Sequence, residues 1–202
     1  MFSGALHKVP RDLDDGATVH VADPEGHVLG TGHYHRGSIA VRLFAFEEVV
    51  PDAAFWEQRI AQAIAYRRQA GILALPDTDG YRLVHGEGDG LSGLVVDRYA
   101  DVVVMQCHSI GMHRQRHHLA EALRRQLGPE VRIYDKSKNA LPPKYASEVS
   151  DGWLVGAGEA ETVMREYGHR FIVDVAEGQK TGFFLDQREN RRYVASFCEG
   201  RT

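Results

Sequence analysis

Gly178 and Gly182 bracket Gln179-Lys180-Thr181, so the backbone must turn tightly there and leave its polar groups accessible. Phe183, Phe184 and Leu185 follow as a short apolar run, which predicts a buried strand. Asp186 is a good N-cap and Glu189 lies at the capping-box spacing, which predicts a helix beginning at Asp186. Lys180, Gln187, Arg188 and Asn190 crowd this corner with more long polar side chains than a structural turn requires. It reads as part of a site. Lys180-Thr181 suggests a phosphate-binding P-loop, but that motif needs glycine just before the lysine and another five residues earlier. Gln179 and Asp174 stand there instead, and the match fails.

The chain leading to this corner divides into two patterns. Residues 16–50 read as short strands with turns at Asp23-Pro24-Glu25-Gly26 and Arg36-Gly37-Ser38, which suggests a small barrel. Tyr34, His35, Arg36 and Arg42 are the residues there most suited to RNA, since tyrosine can stack on a base and arginine can meet phosphate. Residues 52–70 predict a helix with Trp56, Ile60, Ala63, Ile64 and Arg67 on one side and Gly71 as its stop. We take it as a connector between domains, with the break near Leu75–Gly80.

Beyond the break, residues 81–85 predict a strand, and 93–99 with 102–107 a hairpin turning at Ala100-Asp101. Gly86-Glu87-Gly88-Asp89-Gly90 is a turn: its carboxylates would repel phosphate and the third glycine of a dinucleotide loop is missing. Residues 112–127 predict one helix with Met112, Leu119, Leu123 and Leu127 inward. Arg114, Arg116, Arg124 and Arg125 make this the densest basic cluster, able to attract an RNA backbone or to form a solvated face. His113 and His117 have a metal-compatible spacing but no third ligand nearby, so no metal is expected. Residues 131–135, 153–155, 162–167 and 170–175 read as strands, and the polar loop from Lys136 to Tyr145 as a second candidate RNA surface.

The net charge of −4 confines any nucleic-acid contact to local patches. Cys107 and Cys198 form no metal-type spacing, and no apolar run is long enough for a membrane span, so a reducing cytoplasm is the expected setting.

The segment Gly178–Arg191, GQKTGFFLDQRENR, is similar without a gap to the signature of a known family. These are the class I S-adenosylmethionine-dependent large-subunit (23S) rRNA methyltransferases that carry an N-terminal PUA domain and act on C5 of a cytosine. Phe2-Ser3-Gly4-Ala5 resembles the opening of their PUA domain, and Arg82–Tyr99 resembles their pattern RLVxGExDGLxGLxVDRY. Where they usually show Asn-Pro this chain has His35-Arg36, so individual RNA contacts do not carry over. The resemblance implies an α+β chain: a PUA-like small β-barrel at 1–50, a connecting helix at 51–72 and a mixed α/β middle domain at 73–176. Residues 177–202 would then be the entry segment of a Rossmann-like methyltransferase domain.

It further implies that Lys180, Thr181, Phe183, Phe184, Asp186, Gln187, Arg188 and Asn190 lie beside the methionine end of S-adenosyl-L-methionine. The implied partner is large-subunit rRNA, without DNA or membrane and with room for a homodimer. The family's glycine-rich cofactor loop, ribose-binding carboxylate and nucleophilic cysteine are expected beyond Thr202. No catalytic residue is therefore assigned here, Cys107 and Cys198 included, and this chain alone is expected to be inactive. The alternative is a stand-alone, non-catalytic RNA-binding module.

Overall fold

The computed structural model describes residues 1–198 and Gly200. Strands β1 (Thr18–Ala22), β2 (Val28–Tyr34) and β3 (Val41–Ala45) form an antiparallel sheet in that order. A Cβ at Gly32 would fall 2.5 Å from the Arg42 carbonyl, so glycine is what lets β2 close on β3. The N-terminal amine donates to the Val41 carbonyl at 2.6 Å, and Phe2 bridges Ile39. Among the described residues this is a three-stranded sheet extended by the N-terminus, where a small barrel was expected.

Asp52 caps helix α1 (Ala53–Gln69) by accepting from the Phe55 amide at 2.9 Å. Its buried residues are Trp56, Ile60, Ala63, Ile64 and Arg67, as the spacing predicts. It is no mere connector. Trp56 and Ile60 are fully buried in the main core, and Arg67 forms a bidentate pair with Asp89. Asp89 also accepts from the His85 amide at 2.6 Å, so this carboxylate of the glycine-rich turn is used internally.

The central sheet has five strands in sequence order: β4 (Gly80–His85), β5 (Leu94–Tyr99), β6 (Val102–Cys107), β7 (Arg132–Asp135) and β8 (Gly152–Val155). Only β6 and β7 run parallel, joined through α2 (Ile110–Arg114) and α3 (Arg116–Leu127). One helix was expected over 112–127; the chain breaks at Gln115, whose Oε1 accepts from Trp56 Nε1 at 3.2 Å. Leu94, Val96, Val103 and Met105 of the sheet meet α1 and α3 in the main core. The opposite face, with Tyr99, Val102 and Val104, is covered by the hairpin β9 (Glu161–Glu166) and β10 (His169–Asp174). Between Lys136 and β8 lies the short helix α4 (Pro143–Ala146).

After β10 the chain enters the Gly178–Gly182 loop, a 3-10 turn (Leu185–Gln187) and α5 (Arg188–Cys198). Two expectations fail here. Phe183–Leu185 is not a strand: only Leu185 of the three is buried, and among the described residues none of them pairs with a strand. The helix starts at Arg188, not after Asp186, and Glu189 accepts from the Tyr167 hydroxyl at 2.8 Å instead of closing a capping box.

Candidate cofactor-side loop and RNA surfaces

Conformation first fixes the loop. Lys180 has φ 55° and Gly182 φ 142°, and a Cβ at Gly182 would lie 2.8 Å from Val173 Cγ1. Only glycine fits that second position. Thr181 is 1% exposed: its hydroxyl contacts Asp97 Oδ2 at 2.6 Å and the Tyr99 hydroxyl at 2.7 Å. An ionised carboxylate can only accept, so Thr181 donates to Asp97 and accepts from Tyr99. Burial raises the Tyr99 phenol pKa and keeps the proton that this bond needs. The Phe183 amide donates to the same tyrosine oxygen at 3.3 Å. Asp97, fully buried, also accepts two bonds from Arg82 at 2.8 and 2.9 Å. On the loop's other side, Lys136 Nζ donates to the Gly178 carbonyl at 2.5 Å.

A second clamp holds the start of α5. Glu166 is 3% exposed and accepts two bonds from Arg191, each 2.7 Å. Arg188 lies 3.6 Å from the same carboxylate and donates to the Gly80 carbonyl. The Arg191 guanidinium covers the Phe183 ring at 4.5 Å. A Glu166→Ala variant is expected to lose ~1–2 kcal/mol locally, because Arg191 loses a charged acceptor and Arg188 an ion-pair partner, but Arg191 can turn to water. Hydrogen exchange should show roughly tenfold faster amides across α5 with β4–β6 unchanged. Unaltered exchange in α5 would rule the clamp out.

Of the residues expected at the cofactor, Thr181 and Arg188 therefore turn inward and position the loop. Phe183 is half-buried, while Lys180, Phe184, Asp186, Gln187 and Asn190 are exposed. Lys180 pairs with Asp186 at 3.2 Å and lies 4.4 Å from the Phe184 ring centre. Asn190 donates to Gln187 at 2.7 Å, and both line a groove of about 550 Å³ between α5 and the β9–β10 hairpin.

The RNA candidates fare less evenly. Tyr34 is buried against Val21, Ala40 and Val41 and cannot stack on a base. His35 lies 3.5 Å from Asp15, Arg36 is exposed, and Arg42 is 3.5 Å from Glu87. On the basic helix, Arg125 pairs with Glu121 at 3.1 Å and Glu57 at 3.0 Å, and Arg124 lies 3.9 Å from Glu121. Arg116 donates to the His113 carbonyl at 3.1 Å, which leaves exposed Arg114 as the freest charge of the four. The expected basic patch is thus largely matched by acids. Lys136 and Ser137 are buried, so the loop after β7 begins as structure and not as an RNA surface. His113 is buried between Asp135 at 3.3 Å and Tyr145 at 3.1 Å, while His117 is exposed. Cys107 is fully buried, and desolvation raises its thiol pKa far above the reactive range. Cys198 is exposed at the end of α5.

Arg82, Asp97, Tyr99 and Glu166 carry no role in the sequence reading, and Lys136 carries a different one. An acid inside the apolar strand Leu-Val-Val-Asp-Arg-Tyr is the signal that could have found Asp97, since a buried carboxylate requires partners.

Residues 1–46 match a family model described as a PUA-like domain. Ribosomal RNA large subunit methyltransferase I of Klebsiella pneumoniae is 36% identical over 203 residues, which cover 96% of this chain and 50% of that protein. The Aeromonas hydrophila protein of the same name is 37% identical, covering 100% of this chain and 51% of its own length. The chain's relatives are large-subunit rRNA methyltransferases. It spans about half the length of these curated relatives. Among solved structures, "a putative sam-dependent methyltransferase from Streptococcus mutans" superposes with a TM-score of 0.74 at 21% identity, covering 92% of this chain and 46% of that one. Another, described as "a putative methyltransferase complexed with SAH", superposes equally well at 0.74 and 21%, covering 91% of this chain and 46% of that chain. These two likenesses describe the fold. No helix among the described residues is long and apolar enough to cross a membrane.

Proposed function

We propose that this chain is the RNA-recognising portion, with one wall of the cofactor pocket, of an S-adenosylmethionine-dependent methyltransferase that modifies C5 of a cytosine in large-subunit rRNA. The observation that carries the reading is the two-sided build of Gly178–Arg191. Its inner side is tied to Asp97, Tyr99 and Glu166, while Lys180 and Phe184 remain on the surface. A loop held so firmly from behind keeps its outer atoms in place for a ligand. The relatives' names and the PUA-like match support rRNA as the substrate class.

The residues present fit the methionine end of the cofactor. The Lys180 ammonium, which pairs with Asp186 and lies over the Phe184 ring, would turn to the cofactor's carboxylate and so uncover the Phe184 face for a sulfonium or an apolar chain. When bound, the cofactor would supply the electrophilic methyl group. The residues of this chain bind and orient; none is assigned to bond making. Cofactor affinity in doubly wound folds rests mainly on a glycine loop at a helix N-terminus and a ribose-binding carboxylate.

Titrating the 202-residue chain with S-adenosylmethionine in a calorimeter is therefore expected to show no saturable binding below roughly millimolar concentrations, the strength of one pocket wall. Micromolar binding, or label transfer to rRNA by the pure chain, would overturn this assignment. RNA binding is read separately, by anisotropy with single-stranded large-subunit rRNA fragments. Binding that is present and weakens with salt supports the reading, and its absence overturns the RNA part. The stand-alone RNA-binding module is the second reading. It is favoured by the PUA-like match at 1–46 and would gain from RNA binding that a full-length relative's catalytic half leaves unchanged.

A further inference from the structure

Strand alternation puts Val95, Asp97 and Tyr99 on one face of the central sheet. Asp97 and Tyr99 hold the Gly178–Gly182 loop, and Val95 lies two residues away, about 7 Å along the same face. The β9–β10 hairpin covers the Tyr99 end of this face but not the Val95 end, where a cleft of about 160 Å³ opens. His85, opposite Val95 on β4, and His108, just past β6, line it with Arg42 from β3 and Glu87. Both imidazoles are exposed. Gly93, at φ 81°, keeps the floor open beside Arg42.

The polar groups are held, not free to drift. Ser92 donates to Glu87 Oε1 at 2.7 Å, and that bond keeps the carboxyl below its usual pKa. Arg42 Nη1 lies 3.5 Å from the same oxygen. His85 Nδ1 is 3.3 Å from Arg82, which pairs with Asp97, which accepts from Thr181. A continuous polar chain thus links the cleft to the signature loop. A carboxylate beside a guanidinium offers an acceptor and a donor together, and imidazole rings stack on bases.

We propose that this cleft receives one unstacked base of single-stranded RNA, with His85 and His108 as stacking faces and Glu87 with Arg42 reading an edge that carries an amino group. The assignment rests on the RNA-binding reading above. Uracil, which has no amino group, is the disfavoured base. Labelled single-stranded oligo(C) and oligo(U) decamers are titrated with the full chain by anisotropy, and thermal melts followed by circular dichroism check that each variant is folded. The paired substitution His85→Ala with His108→Ala is expected to weaken oligo(C) binding about tenfold, the size of one lost stacking contact. Glu87→Gln, whose amide can both donate and accept, is expected to bring the preference for oligo(C) over oligo(U) close to one. A folded double variant that binds oligo(C) as the parent does overturns the cleft while leaving RNA binding intact. Failure of the parent chain to bind any RNA overturns both.

Discussion

Replacing Asp97 with alanine is expected to destabilise the chain by ~3 kcal/mol, more than any substitution in the loop that Asp97 supports. The carboxylate is fully buried and satisfies Arg82 twice and Thr181 once. Removing it strands a guanidinium whose side chain is 34% exposed, which keeps the loss at the low end of the range for broken buried pairs. Thr181→Val removes one hydrogen bond to that charge and should cost ~1.5 kcal/mol. Urea unfolding of the two variants separates the effects. A loss below ~1 kcal/mol for Asp97→Ala would mean that Arg82 re-solvates freely and that Asp97 is no anchor.

The second large effect follows acidity. His33 on β2 is 2% exposed, packed 4.8 Å from Phe44 and 6.2 Å from Trp56, with no hydrogen-bond partner on either ring nitrogen among the described residues. Burial, helped by the Arg114 charge, lowers its pKa from 6.5 to about 4. The unfolded chain therefore takes up a proton near pH 6.5 that the folded chain refuses until about pH 4. Stability from this residue is complete above the unfolded value and falls as pH drops through that window, by ~3 kcal/mol in all. Carboxylates add their own slope at the acid end, so the measure is the difference between the parent and His33→Phe, which keeps a ring but no titrating nitrogen. Parallel stability curves for the two proteins between pH 4.5 and 6.5 would sink the prediction.

What the sequence made legible was whatever depended on local spacing. The stripe Trp56, Ile60, Ala63, Ile64 and Arg67 is the buried side of α1, and the Ala100-Asp101 hairpin turn lies between β5 and β6. What it hid depended on distant partners. Phe183-Phe184-Leu185 looks like a strand, but among the described residues it pairs with none and instead, with Arg191 lying over Phe183, leads into the 3-10 turn at Leu185. Tyr34 looks suited to a base, yet it faces the small N-terminal core because Val41 stands opposite it in register. Arg125 of α3 looks like part of an RNA patch because Glu57, one of its two acidic partners, lies far back on α1. At the candidate site, the polar residues of the signature were visible, but which of them face inward was not. That was decided by Asp97, Tyr99 and Glu166, none of which lies in the segment.

The bond from Thr181 to Asp97 joins residues 84 apart, and that from Thr181 to Tyr99 joins residues 82 apart. Closing such a loop before its anchor exists costs entropy that nothing yet offsets, whereas the β4–β5–β6 meander closes through short local turns. During synthesis β4, β5 and β6 emerge before the Gly178 loop, so the loop is expected to close on strands that are already out. The order of assembly is thereby expected to follow the order of the chain: the Gly178 loop should set last, after the strands that carry its anchors Asp97 and Tyr99.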